Sequence, residues 1–536
     1  MYPVSGWTGR TACALQAALR MSNEAFAEHL GIGVRTVAGW HQKPTLRPKS
    51  EMQQLLDAAL DRAAAPVRER FAALATEPAD PRTARTYPPD QDAGHPEHAP
   101  VGPAWRLDAD PDISAAFGWL DRHAGWQPGT SRAEVASRLA RLDPGELRNQ
   151  RGHRERVARR DIATALAGYY PDRSGGHGRY AARYGTATDV VTSVLTCSDW
   201  LDLECPLRNG GERLTVSADD SPAWEPLDDE AAGHAAQRLA ETLARHVRLV
   251  DMPLYRLVDI DPRQGSMTGR LGLSHFVRYA LTLDLLEGEL LDALSAGAPA
   301  APGSLPLRDL HLPDLASVLD VAGRLCAGGA LSLCAIARPA DGRRPSPDYL
   351  LLVQERSGEV VNAARRLAVI PKGFHQPLTD LAADAHVEAT LRREMEEELF
   401  GRDDIDNTSG AHRTADPMHP SRLSEPMRWL DEDPARLRME CTAFGLNLVS
   451  GNYEFACLTV IEDEEFWPRF GGVVEANWEA TGLRQFSSRD RELLGGLIRD
   501  RAWSNEGLFA LLQGLRRLAH IGGRRVSLPA IEWGIR

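Results

Sequence analysis

The chain has 536 residues, of which 43% are hydrophobic and 26% are charged, and its formal net charge is −13. A single hydrophobic core rarely extends over this length, so we expect several domains. The acidic balance argues against a protein that coats nucleic acid with its whole surface, although one basic patch is compatible with it.

The first 75 residues predict a small all-α domain. Apolar residues recur there at helical spacing, Ser22 is suited to cap a helix, and Gly31 is suited to end one. The expected helices are Thr11–Arg20, Asn23–Leu30, Val34–His41 and Glu51–Ala63. The residues expected to close their core are Ala27, Leu30, Ile32, Val37 and Trp40.

The second and third of these helices resemble the helix-turn-helix of the Xre-type (phage-repressor) family. The resemblance implies a domain that binds double-stranded DNA, usually as a homodimer on palindromic operators, with the later helix in the major groove. The positions that would face the bases are Val34, Arg35 and Gly39. The positions that would contact phosphates are Asn23, Lys43, Thr45 and Arg47.

The local charge agrees with that expectation. Residues 1–50 contain six Arg or Lys and two Glu, a balance of +4 within an acidic chain. An excess of this kind is typical of a surface that contacts phosphates. Arg35 is suited to a bidentate contact with guanine, and Val34 to a thymine methyl group. The alternative is a helix-turn-helix that contacts only protein.

Residues 76–109 are rich in proline and poor in apolar residues, which predicts a flexible linker. Residues 110–300 are expected to form a helical middle region. A capping box at Ser131–Glu134 predicts a helix as far as Leu142. Further helices are expected at Gly145–Tyr170, Asp228–Leu249 and Ser274–Leu294. The region could be a connector, a dimerisation surface or a ligand pocket, and the sequence does not choose among these.

Residues 301–536 alternate between strand-like and helical segments. Strands are expected at Ala330–Ala337, Tyr349–Gln354, Glu440–Ser450 and Tyr453–Ile461, and closing helices at Asp490–Arg499 and Glu506–Ala519. Between them, a short strand that ends at Pro371 leads through a polar loop into a helix expected at Ala385–Phe400. We call this strand, loop and helix the box segment.

Three glutamates of the box segment are expected to share one helix face. Glu394, Glu397 and Glu398 stand at positions i, i+3 and i+4. Like charges at that spacing destabilise a helix by roughly 0.2–0.5 kcal/mol per pair. A Mg²⁺ ion would reverse that cost, because it takes oxygen ligands and bridges them to phosphates. The alternative is a solvated acidic face.

The box segment resembles the signature of the Nudix family, whose members bind and often hydrolyse nucleoside diphosphates linked to another group. Arg393, Glu394, Glu397 and Glu398 stand in the family register, and Gly373-Phe374 precede them. The resemblance implies an α/β/α sandwich with Mg²⁺ bound by the three glutamates and with Glu394 as the base of an active enzyme. Ligand contacts are expected from Lys372, Gly373, Phe374 and Arg393.

The chain departs from the family pattern in ways that favour binding over hydrolysis. The loop from Gly373 to Arg393 is longer than usual, and it has no glutamate in the expected register. Phe400 replaces the closing glycine, and Gly401 follows one position late. We therefore expect a transcriptional regulator that senses a nucleotide-type ligand. The alternatives are a metal-dependent pyrophosphohydrolase localised by its helix-turn-helix domain, and a scaffold that uses neither site.

The cysteines and apolar runs indicate the compartment. The seven cysteines are scattered, without C-x-x-C or zinc spacing, which is typical of free thiols in a reducing compartment. No basic start leads into an apolar segment, and no apolar run has the length of a membrane span. A cytoplasmic α+β multidomain protein without membrane contact is expected.

Overall fold

The computed structural model describes residues 7–71, 107 and 111–536, apart from 20, 22, 31, 44–45, 49, 63–66, 69, 172–174, 186–187, 209, 218–225, 246, 248, 343, 357–364, 403–416, 472–473 and 475–479. Except for residue 107, the expected linker lies outside these residues. The chain divides into two compact units: Met1–Ala99 with Arg402–Arg428, and Pro100–Gly401 with Trp429–Arg536.

The first unit has a helical core. Its helices are α1 (Gly9–Leu19), α2 (Asn23–Leu30), α3 (Val34–Gln42) and α4 (Ser50–Arg62). All five residues expected to close this core are buried. Two aromatic residues outside these helices join it: the rings of Trp7 and Phe71 lie 5.5 Å apart. The indole Nε1 of Trp7 also donates to Asp57 Oδ1 at 2.7 Å, which ties the start of the chain to α4.

After residue 110 the elements are numerous. The helices are α5 (Pro111–His123), α6 (Thr130–Leu139), α7 (Pro144–Arg156), α8 (Arg159–Tyr169), α9 (Asp229–Ala244), α10 (Phe276–Ala280), α11 (Leu285–Ser295), α12 (Pro306–His311), α13 (Leu315–Leu319), α14 (Val387–Glu394), α15 (Glu425–Asp431), α16 (Phe466–Phe470), α17 (Arg491–Arg499) and α18 (Asn505–Ile521). The strands are β1 (Gly178–Tyr184), β2 (Thr188–Thr196), β3 (Cys205–Pro206), β4 (Glu212–Val216), β5 (Pro253–Arg263), β6 (Ser266–His275), β7 (Gly328–Arg338), β8 (Asp348–Arg356), β9 (Leu367–Val369), β10 (Lys372–Phe374), β11 (Leu437–Asn447), β12 (Tyr453–Ile461), β13 (Ala480–Ser487) and β14 (Ile531–Ile535).

A mixed sheet of eleven strands forms the centre of the second unit. Its order is β13-β8-β7-β12-β11-β2-β1-β14, with β9, β10 and β3 paired to β8, β7 and β11. Strand β12 runs parallel to β7 and antiparallel to β11. Nearly every residue of β7 and β12 is buried, so both faces of these strands are covered.

Helix α18 covers one face of the sheet and packs across β2, β7, β11 and β12. Its close approach depends on Gly514, because a Cβ there would lie 2.9 Å from the Cβ of Leu333. A second, smaller sheet has the order β4-β6-β5. Its β5–β6 hairpin turns at residues 264–265, where Gly265 has φ +79°. That conformation favours glycine.

The middle region is only partly helical, because β1 to β6 lie within it beside α5 to α11. The helix expected at Asp228–Leu249 is α9. Strands β1 and β2 belong to the large sheet, so the expected boundary at residue 301 falls within one unit. The expected helix at Gly145–Tyr170 is interrupted between Arg156 and Arg159, and α6 begins after Gly129 without a side-chain cap. Short apolar runs do not distinguish a strand from a buried helix, and that ambiguity produced the error.

The secondary structure expected for residues 301–536 is largely confirmed. Strands β7, β8, β11 and β12 lie where the apolar runs predicted them, and α17 and α18 are the two closing helices. The box segment has the expected order: β9 and β10, then a loop, then α14. One feature differs. After Glu394 the helix continues as a π-helical turn over Met395–Leu399.

Candidate functional site

Three cationic side chains lie exposed near the end of α3. Arg10, Lys43 and Arg47 are exposed, and backbone hydrogen bonds connect the segments that carry them. The N–H of Gly9 donates to Leu46 O at 2.7 Å, and that of Leu46 donates to Lys43 O at 3.0 Å. A Cβ on Gly9 would lie 2.5 Å from Lys43 O, so the two segments are in direct contact. The three residues therefore leave the backbone at one corner, which we call the basic corner.

The other residues expected to contact DNA are only partly described. Gly39 is half-buried in α3, and nothing lies within 4 Å of an added Cβ. Thr45 lies outside the described residues, as do the side chains of Asn23, Val34 and Arg35. The base contacts expected from α3 therefore remain predictions.

In the box segment, Glu394 lies directly against Gly373. A Cβ at position 373 would lie 1.8 Å from Glu394 Oε1 and 2.1 Å from its Cδ, so only glycine fits here. Gly373 lies on β10, which pairs with β7, and Glu394 ends α14. This contact connects the helix to the strand before it.

Arg393 is buried and holds the loop. Its guanidinium donates to Phe374 O at 3.1 Å, to Gln376 O at 3.3 Å and to Glu394 Oε1 at 3.3 Å. The Phe374 ring packs edge-on against Tyr279 at 5.3 Å. Arg393 and Phe374, two of the residues expected to contact a ligand, therefore have contacts within the protein.

The long loop after Gly373 is held by a buried histidine. His375 Nε2 donates to Ala385 O at 2.8 Å, and its Nδ1 accepts from the Tyr453 hydroxyl at 3.0 Å. Burial lowers the pKa of His375 to about 3, so the ring is neutral. The carboxylate of Asp384 also accepts from the N–H groups of residues 378–380. The added loop length is therefore an ordered part of the unit.

Glu398 faces the sheet. It is 1% exposed, its Oε2 accepts from the backbone N–H of Lys372 at 2.7 Å, and its Oε1 accepts from Gln354 Nε2 at 3.2 Å. Both oxygens of an expected metal ligand thus already accept hydrogen bonds, one from β10 and one from β8.

The side chain of Lys372 contacts a second group of buried acids. Its Nζ donates to Glu506 Oε1 at 2.9 Å, and Asn447 Nδ2 lies 3.3 Å from Glu454 Oε1 and 3.5 Å from Glu506 Oε2. Burial and the charge of Glu506 raise the pKa of Glu454 to about 8. Burial opposes ionisation of Glu506 too, but Lys372 holds the pKa of that carboxyl below its usual value. We call these four residues the Lys372 cluster.

The structure does not gather the three box glutamates into a metal-binding group. Glu394 and Glu397 are each 6% exposed, and the π-helical turn alters the spacing on which the shared-face prediction rested. Within the described part of the chain, no group of three or more His, Cys, Asp or Glu side chains is placed to hold a metal. Mg²⁺ ligation by Glu394, Glu397 and Glu398 stays a prediction from the sequence.

Sequence reasoning did not single out Gln354, Asn447, Glu454 or Glu506. They lie far apart in the chain, on β8, β11, β12 and α18, and only the sheet order brings them to the box segment. The one available signal was an acid or amide within an apolar run, as at Glu454 between Tyr453 and Phe455. A buried polar residue of that kind needs a partner.

No protein-family model matches the sequence, and a search of curated proteins finds no match either. Among the helices that the structure describes, none is long and apolar enough to cross a membrane.

Proposed function

We propose that this protein is a DNA-binding transcriptional regulator whose C-terminal unit is a Nudix-like sensor of a nucleotide-type ligand. The observation that carries the DNA-binding part is the basic corner. Arg10, Lys43 and Arg47 are exposed together beside α3, in a chain whose net charge is −13. Cationic side chains beside a recognition helix contact phosphates and fix the helix in register on the duplex.

The helical arrangement supports the same proposal. Only residues 31–33 separate α2 from α3, and both helices bury apolar side chains in one core. The rings of Phe26 on α2 and Trp40 on α3 lie 6.4 Å apart, which holds the pair together. In the Xre-type arrangement the second helix of such a pair reads the major groove, and Arg35 lies in its first turn. The proposal includes a homodimer on a palindromic operator, as is usual for that arrangement.

DNA binding is tested by fluorescence anisotropy with the full-length chain and a fragment from upstream of its own gene. Removing one phosphate contact by Lys43→Ala or Arg47→Ala is expected to lower the slope of log K against log[salt] by about 1. Arg263→Ala is the matched control, because Arg263 is exposed on the β5–β6 turn. Equal slopes for all variants would contradict the proposal.

The sensor part rests on the box segment. Gly373 and Glu394 are in contact across the strand–loop–helix order, and Arg393 holds the loop between them. Sensing is favoured over hydrolysis because both oxygens of Glu398 are bonded within the protein. A ligand would regulate DNA binding by favouring one of two states of the protein.

Sensing and hydrolysis are distinguished by incubating the protein with Mg²⁺ and a panel of nucleoside diphosphate derivatives. Saturable binding without turnover is the expected result. Turnover that is lost in Glu397→Gln and Glu398→Gln would establish the pyrophosphohydrolase instead. Neither binding nor turnover with any member of the panel would contradict the sensor.

A further inference from the structure

The Lys372 cluster joins four elements beside the box segment. Lys372 belongs to β10, Asn447 to β11 and Glu454 to β12, while Glu506 lies in the first turn of α18. All but the lysine are buried, and the lysine is half-buried. Hydrogen bonds from the Lys372 ammonium and the Asn447 amide hold the two carboxyl groups together.

An ionised carboxyl group in such a place requires a positive charge. An ionised acid in a protein interior is strongly unfavourable unless it is paired. The Lys372 ammonium lies 2.9 Å from Glu506, and it favours ionisation of both Glu506 and Glu454. The lysine is therefore the cation that makes this arrangement of acids stable.

The residue type is informative because lysine is rare in this chain. Only three of the 62 basic residues are lysines, at positions 43, 49 and 372. An ammonium is a compact point charge, whereas a guanidinium is a broad planar fork. Of the two, the ammonium is closer to a metal ion in being a compact charge.

The same residue is bonded to the box helix. The backbone N–H of Lys372 donates to Glu398, and its side chain donates to Glu506. One residue thus connects the π-helical turn with α18. In a Nudix-like box, a divalent ion bound to the helix glutamates would supply this positive charge.

We infer that the Lys372 ammonium is the resident cation of the buried Glu454–Glu506 pair, and that the C-terminal unit needs no divalent metal there to fold. The comparison with a metal rests on the Nudix-like character proposed above. The charges explain how one cation could replace the other. The single positive charge of the ammonium balances one ionised acid beside a protonated one, whereas the two charges of a divalent ion would balance both acids in their ionised form. Removing the ammonium is expected to create a divalent-cation site.

The test is a Mn²⁺ titration followed by the EPR signal of the free ion, using full-length protein at pH 7. The wild-type chain is expected to show no saturable Mn²⁺ binding, and its Tm is expected to be the same in EDTA and in MgCl₂. Lys372→Met is expected to bind one Mn²⁺ per chain and to gain Tm when the metal is added. Lys372→Met with Glu506→Gln is the matched control, and it should lose that response.

Saturable binding of one Mn²⁺ by the wild-type chain would overturn the inference, and so would a folded Lys372→Met variant whose Tm ignores the metal. If Lys372→Met fails to fold, the wild-type titration alone decides. DNA binding is measured separately by anisotropy. Its loss with an unchanged Mn²⁺ result would refute the regulator while leaving the inference standing.

Discussion

Replacing Gly373 by alanine tests the packing of the box segment. An added Cβ would lie 1.8 Å from Glu394 Oε1, 2.1 Å from its Cδ and 2.7 Å from its Cγ. The carboxylate would have to move, and its contact with Arg393 would be lost. Overpacking costs about 1–3 kcal/mol, and a hydrogen bond to a charged group contributes about 1.5–3 kcal/mol. We expect Gly373→Ala to lower the free energy of unfolding by about 2.5–6 kcal/mol, the sum of these two effects.

The assay is urea denaturation, with Gly342→Ala as the matched control. Nothing lies within 4 Å of an added Cβ at Gly342, so that variant should stay within about 0.5 kcal/mol of the wild type. A double-mutant cycle assigns the cause. In a Glu394→Ala background the clashing atoms are gone, so Gly373→Ala should then cost less than about 1 kcal/mol. The reasoning would be refuted if Gly373→Ala lowered the free energy of unfolding equally in both backgrounds, or if it left that free energy unchanged in the wild-type background.

Three further outcomes are expected. The raised pKa of Glu454 stabilises the fold below the unfolded value of 4.5, and this contribution is lost as pH rises towards about 8. Glu454→Gln should therefore gain on the wild type by up to about 1.4 kcal/mol per pH unit between these limits; parallel pH–stability curves would exclude this. Trp7→Phe should cost about 1 kcal/mol through loss of the Asp57 bond, and an unchanged denaturation midpoint would show that the bond contributes nothing. Lys43→Ala should weaken all DNA sequences alike, and altered sequence preference would contradict a phosphate contact.

Local patterns predicted the parts of the fold that depend on neighbouring residues. The apolar residues Leu30, Val37 and Trp40 identified the core of the first unit, and long apolar runs located β7 and β12. These signals are reliable because burial imposes a period on the sequence. The same dependence on a clear period explains why the strands of the middle region were not predicted. The run before Arg263 has charged residues at Arg256, Asp259 and Asp261 and no clear period, so its pairing with β6 was not predicted.

The candidate site was predictable only where its residues are close in sequence. Gly373, Arg393 and Glu394 belong to one motif, and the structure brings them into contact. Glu454 and Glu506 reach the same place through the order of the sheet, which pairs distant segments. The π-helical turn was also not predictable, since the glutamates of an ordinary α-helix have the same sequence. The directions of the side chains after Glu394 therefore could not be predicted from the sequence.

The most direct test of the central claim is selection of DNA fragments from the source genome by the full-length protein at moderate salt, followed by sequencing. The account expects enrichment of a few fragments that share a palindromic element, and loss of that enrichment in Arg35→Ala. Retention of all fragments in proportion to their abundance, or identical enrichment by Arg35→Ala, would contradict a regulator that reads DNA through α3.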